Sequence, residues 1–241
     1  MLSASVYTDI GSRKVNEDAV GTARNAGGQG FFLCDGLGGH GMGDAASSLV
    51  VASLKEQFEK SSSISAFLGP AFQNAQDALM AEQKRLNATK KMKTTGAALV
   101  ADSRKAYIGH IGDSRVYIFR RGKVWKRTLD HSVPQMLVNS GEIKESEIRH
   151  HPDRNLVMRV FGVEWDRPMT ELEAPVPLRK CQAFLLCSDG FWELCEEAEM
   201  EACLAASATP QEWLMRMTEI IRKNGAGTDM DNYTAVAVWN R

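Results

Sequence analysis

The sequence predicts an α+β fold of layered antiparallel sheets, and three observations carry that expectation. Strand-like and helix-like runs are segregated along the 241 residues, without the strict alternation that a parallel sheet requires. Four β-textured segments between residues 96 and 125 are separated by the turn pairs Asp102-Ser103, Asp113-Ser114 and Arg121-Gly122, the spacing of an antiparallel meander. Two apolar runs, Phe31-Phe32-Leu33-Cys34 and Ala183-Phe184-Leu185-Leu186-Cys187-Ser188, each end in Asp-Gly. Such a run reads as a strand buried on at least one face, with a carboxylate held at the rim of a core.

Taken in order, short strands are expected over residues 5–8, 18–23 and 29–34. A helix over 43–59 carries the apolar stripe Leu49, Val50, Leu54 and Phe58, and one over 64–86 carries Phe67, Leu68, Phe72, Ala75 and Leu79. Strands follow over 96–101, 105–111, 116–120 and 123–125. Residues 131–165 are polar and irregular, with short helices over 133–139 and 144–149; so long an excursion reads as a lid or binding loop. A strand over 183–188, helices over 197–206 and 211–223, and a last strand over 234–239 complete the chain. No linker-like stretch and no internal repeat interrupts it, so residues 1–241 are expected to form a single domain.

With a formal net charge of -1, 24% charged and 44% hydrophobic residues, the composition is that of an ordinary soluble protein and gives no reason to expect nucleic acid as partner. The opening residues lack the basic segment and apolar core of a signal peptide, and no apolar run approaches a membrane span. A cytoplasmic monomer is the expectation. Five cysteines, none in a Cys-x-x-Cys pair, argue for buried free thiols and against a disulfide framework or structural zinc.

A carboxylate at the end of a buried strand needs a partner. With Glu17-Asp18 and Asp231-Asn232 added to Asp35 and Asp189, the economical partner is a divalent metal, because hard cations take clustered oxygen ligands and cancel their repulsion. Either Asp-Gly alone is also an ordinary turn signal, so the inference depends on the copies acting together. The run Gly36-Leu37-Gly38-Gly39-His40-Gly41 formally matches a dinucleotide fingerprint, but Asp35 would repel a pyrophosphate and no second strand with an acidic end arrives about 20 residues later. These glycines serve better to bring backbone close to a charged site, freeing the Gly36 carbonyl to face a cation.

In chain order the motifs are Arg13-Lys14-Val15-Asn16-Glu17-Asp18, Asp35-Gly36-Leu37-Gly38-Gly39-His40, Thr94-Thr95-Gly96, Gly112-Asp113-Ser114-Arg115-Val116-Tyr117, Asp130-His131-Ser132, Ser188-Asp189-Gly190-Phe191-Trp192 and Asp231-Asn232-Tyr233-Thr234. This series resembles the metal-dependent type 2C serine/threonine protein phosphatase family in its compact bacterial form, from about Val6 to Val238. The resemblance implies a four-layer αββα sandwich, two antiparallel sheets flanked by helices, with a two-metal site at one end. It implies that Asp35 bridges two Mn²⁺ or Mg²⁺ ions, that Asp18 and the Gly36 carbonyl hold one, with Glu17 beside them, and that Asp189 and Asp231 hold the other. Asn232 would stand behind these ligands, and Arg13 would bind the substrate phosphate, since its planar fork makes two parallel charge-assisted hydrogen bonds.

The implied activity is hydrolysis of phosphoserine and phosphothreonine in proteins by a metal-bridged hydroxide, the ions lying about 3.5–4 Å apart. The implied partners are phosphoproteins and a cognate serine/threonine kinase. Asp113 reads equally as a turn residue and as a ligand of a third, weaker metal site shared with Asp189. The acid that often completes that third site is an aspartate in relatives; here it is Glu193. Some relatives carry a histidine proton donor two residues after the bridging aspartate, where this chain has Leu37; His40 is then a site-adjacent histidine, with metal-bound water the preferred proton source. His150-His151 reads as lid, because adjacent side chains rarely converge on one ion.

Overall fold

A computed structural model describes residues 2–37, 41–89 and 91–240. One antiparallel sheet runs in the order β1 (Leu2–Asp9), β11 (Tyr233–Asn240), β10 (Ala183–Cys187), β6 (Arg115–Arg120) and β7 (Lys123–Arg127). The other runs β2 (Asp18–Asn25), β3 (Gly28–Asp35), β4 (Gly96–Ala101), β5 (Lys105–Ile111) and β8 (Glu171–Leu172), with β9 (Val176–Pro177) also pairing β5.

The apolar runs noted in the sequence are buried on both faces because each face meets a different layer. In β3, Phe31 and Leu33 point into the core between the sheets, where they join Val116, Phe184, Leu186 and Val236. Phe32 and Cys34, one residue out of phase, face the helices α1 (Gly43–Lys60) and α2 (Leu68–Arg85) and pack with Val50, Leu54, Phe58 and Phe72. The same alternation in β10 sends Leu185 and Cys187 outward, to Trp213, Met217 and Ile221 of α6 (Pro210–Asn224) and to Met200 of α5 (Glu197–Ala205). The result is helices, sheet, sheet, helices: the αββα sandwich.

The four segments between 96 and 125 do not form one meander. β5 and β6 lie in different sheets, and the chain crosses between them at Gly112-Asp113-Ser114. Gly112 has a φ of +100°, and a Cβ there would lie 2.6 Å from the Thr95 side chain, so the crossing needs glycine. The second helix starts at Leu68 rather than 64. Residues 64–67 form a separate turn, closed by the Phe67 N–H on the Ile64 carbonyl, and Pro70 falls in the first helical turn, where its missing N–H has no partner to lose. The residues after β10 form a short helix, α4 (Asp189–Trp192), rather than a simple turn. Gly190 there packs so closely on residue 232 that a Cβ would lie 2.3 Å from the Asn232 carbonyl oxygen.

The excursion carries α3 (Val133–Ser140), capped by the Ser132 side chain, then a 3-10 turn at Glu145–His150. It returns to the core through β8. All five cysteines are buried free thiols.

Candidate active site

The register of β2 on β3 sets Asp18 directly opposite Asp35, so two carboxylates meet at the end of one sheet. Asp189, at the start of α4, and Asp231, just before β11, reach the same end from the other sheet. Asp113 joins them from the crossing between the sheets. Asp35, Asp113, Asp189 and Asp231 line one open cleft of about 610 Å³, with Arg13, Glu17 and Gly36 in its walls. Asp18 stands opposite Asp35 and outside this lining.

No element could bury these acids as isolated anions. Burial, then the charges of Asp18, Asp189 and Asp113, pushes the Asp35 carboxyl well above the usual carboxylate range. Burial followed by Asp189 does the same to Asp113, and burial followed by Asp231 raises Asp189. Asp18 is pushed up to about 7 by burial, partly offset by the neighbouring Thr234 and Ser188 hydroxyls. The Ser188 hydroxyl donates to Asp18 Oδ2 at 2.8 Å, while Oδ1 is buried with no hydrogen-bond partner among the described residues. A buried, unpartnered carboxylate oxygen inside a group of mutually repelling acids is the donor chemistry that a hard divalent cation satisfies.

The backbone around the acids is pinned from several sides. The Thr94 hydroxyl and the Thr95 N–H both donate to the Asp35 carbonyl at 2.8 Å, and the Asp35 N–H donates to Thr95 Oγ1 at 3.0 Å. The Asn232 side chain accepts from the Glu17 N–H at 2.8 Å and donates to the carbonyls of Ile10 and Val15, so it ties the Arg13-containing loop to β11. The Trp192 indole donates to the Asp113 carbonyl at 3.0 Å. Gly36 packs where a Cβ would lie 2.3 Å from the Gly43 carbonyl oxygen; no larger residue fits this wall of the cleft.

Arg13 stands at the mouth. Its Nε and Nη2 donate to the two oxygens of Asp231 at 3.1 and 3.0 Å, and Nη1 lies 3.6 Å from Asp229. Glu17 is raised by burial and then by Asp44. Glu193 sits one turn beyond Asp189 and pairs with Arg154 of the excursion at 2.9 Å; burial, then Asp189, pushes it up to about 7. His40 lies outside the described residues. His150 and His151 do not converge: the His151 ring instead accepts from the Asp153 N–H at 3.1 Å.

Asn155 also lines the cleft, and no sequence pattern pointed to it; only the path of the excursion brings it there. Ser188, expected as the last residue of a strand, holds Asp18 through its hydroxyl. Motif order and spacing give no hint of that pairing, since the two residues are 170 positions apart.

Residues 7–232 match the family model described as protein phosphatase 2C. The chain is 32% identical over 248 residues to the serine/threonine phosphatase stp of Listeria innocua, covering 98% of this chain and 95% of that protein. It is 34% identical over 229 residues to the serine/threonine protein phosphatase PstP of Mycobacterium tuberculosis, covering 93% of this chain and 42% of that one. Among solved structures, Stp1 from Staphylococcus aureus superposes with a TM-score of 0.91 at 29% identity, covering 100% of this chain and 96% of that one. The catalytic domain of PstP in complex with two manganese ions gives a TM-score of 0.80 at 28% identity, covering 99% and 97%.

Proposed function

The chain belongs to the protein phosphatase 2C family, and from that premise we propose that it is a single catalytic domain that hydrolyses phosphoserine and phosphothreonine in proteins with Mn²⁺ or Mg²⁺. The observation that carries the proposal is the unpartnered Asp18 Oδ1, on the residue paired with Asp35, at a cleft lined by Asp35, Asp113, Asp189 and Asp231. Asp18, Asp35, Asp189 and Asp231, with the Gly36 carbonyl, are the oxygen donors that would hold the ions. Asp35 feels the charges of both Asp18 and Asp189 and would be the donor shared between the ions they hold. When bound, such ions make water nucleophilic near neutral pH and offset charge on phosphoryl oxygens.

The chain's own residues do the rest. Arg13, free to exchange Asp231 for a phosphate, orients the ester through its two-pronged donor edge. Ser188 holds the Asp18 carboxylate and Thr95 the backbone of Asp35, so little reorganisation is needed when charge develops. Asp113 and Asp189 are the pair available to a third ion, whereas Glu193 is already engaged by Arg154. No helix among the described residues is long and apolar enough to cross a membrane. A cytoplasmic monomer acting against a serine/threonine kinase is the biological reading that fits.

Phosphate release from a phosphothreonine peptide tests the proposal. Turnover with added Mn²⁺ and none with EDTA is the expected result; metal-independent turnover, or none with any divalent ion, overturns it.

A further inference from the structure

On the far side of the Gly112-Asp113 turn, outside the acidic cleft, His110, His131 and Glu171 bring their polar atoms within 4.8 Å of one another. Three such groups invite a metal-site reading, but the hydrogen bonds of His131 point elsewhere. The Gly112 N–H donates to His131 Nδ1 at 3.2 Å, and the His131 N–H donates to the Gly112 carbonyl at 2.9 Å. An accepting Nδ1 must carry its lone pair, so the one proton of a neutral imidazole sits on Nε2. Nε2 lies 3.2 Å from Glu171 Oε2, in position to donate. His131 therefore has no free lone pair for an ion. Burial, then the neighbouring His110, pushes His131 down to about 4, which keeps the ring neutral at ordinary pH.

His110 supplies a flat wall. Its ring stacks on His131 at 4.6 Å with an interplanar angle of 14°, and its Nε2–H donates to the Leu129 carbonyl at 2.8 Å. Glu171 is the residue opposite His110 in the β5–β8 register and stands on the return strand of the excursion. A carboxylate of the excursion is thus linked to the turn bearing Asp113 through one imidazole.

We infer that Glu171, together with the Gly112 N–H, fixes the tautomer of His131, and that His131 in this tautomer holds the Gly112-Asp113 turn in register with the cleft, both side chains acting as positioning residues for Asp113. Without the Glu171 acceptor the preference for Nε2 protonation weakens, and the Nδ1-protonated ring, which meets the Gly112 N–H donor to donor, becomes populated. The turn then loses one of its two links to His131, and Asp113 loses its fixed place beside Asp189. Only the kinetic consequence rests on the phosphatase reading; the tautomer does not.

The test compares Glu171→Ala with Glu171→Gln, whose amide oxygen still accepts from Nε2–H. Ring nitrogen NMR of the Mg²⁺-loaded protein should show His131 protonated at Nε2 in the wild type and in Glu171→Gln, and at Nδ1 or mixed in Glu171→Ala. With p-nitrophenyl phosphate, Glu171→Ala should lose about tenfold or more in kcat at little change in KM, the usual scale for a partner that orients a site residue, and Glu171→Gln should recover it. An unchanged tautomer in Glu171→Ala, or equal kinetic loss in both variants, overturns the inference. So does stoichiometric Zn²⁺ binding that removes the Nε2 proton in the wild type and is absent from Glu171→Ala, which would make the cluster a metal centre. A wild type inactive with every divalent ion but showing the stated tautomers would sink the phosphatase reading and leave this one standing.

Discussion

Arg13 grips both carboxylate oxygens of Asp231, the one through Nε at 3.1 Å and the other through Nη2 at 3.0 Å. The residue offered for phosphate binding and a residue offered for metal binding therefore occupy each other until substrate or ion separates them. Both are 44% exposed, so the pair exchanges partners at little cost.

Removing the guanidinium has two opposed effects. Arg13→Ala should raise KM for a phosphothreonine peptide by about tenfold or more, the scale of a lost charged hydrogen bond. It should also lower the Mn²⁺ concentration needed for half-maximal rate, because Asp231 is released. Arg13→Lys should not restore KM, since an ammonium cannot replace the fork. Steady-state kinetics across a Mn²⁺ series reads both effects.

Asp35→Asn should abolish turnover while leaving the fold intact by circular dichroism. The metal-free variant should melt at a higher temperature than metal-free wild type, because one of several mutually repelling buried acids has become neutral. Added Mn²⁺ should then stabilise it far less than wild type. A variant that melts lower without metal would contradict the electrostatic account of the cleft.

The pH dependence of the metal-free chain follows with a definite sign. Asp18 is raised to about 7, and Asp35, Asp113 and Asp189 are raised as well, so the folded state holds protons that the unfolded chain releases near pH 4. Their contribution to stability is present at the acid side of this window and is lost as pH rises through the folded values. Thermal melts in EDTA should therefore show a higher melting temperature near pH 5 than near pH 8. Mn²⁺ should reverse the trend, its stabilising shift growing with pH as the ligands deprotonate.

Trp213→Ala removes a fully buried ring that packs edge-on against Phe119 at 4.9 Å between α6 and the first sheet. A loss of about 3–5 kcal/mol is expected from chemical denaturation, the range for truncating a buried aromatic.

The order of elements was legible because burial on two faces leaves unbroken apolar runs, as in Phe31–Cys34, and because helical stripes such as Leu49, Val50, Leu54 and Phe58 keep their period. Which strands share a sheet was not legible. Residues 105–111 and 116–120 look like neighbours in a hairpin, yet a left-handed glycine and a three-residue crossing carry the chain from one sheet to the other. The aspartates of the cleft could be named from the ordered motifs. What holds them could not, because a hydroxyl such as Ser188 gives no local sign of a carboxylate 170 residues away. The link from Glu171 through His131 was hidden for the same reason: a tautomer is set by neighbours in space.

The cleft draws Asp18 and Asp35 from one sheet and Asp189 and Asp231 from the other, so its width is governed by how thickly the layer between the sheets is filled. Phe31, Leu33, Val116, Phe184 and Val236 work as a caliper. A methylene added or removed there changes the gap between the two pairs of carboxylates without touching either, and the spacing of the acids becomes a property that the protein's oiliest residues can tune.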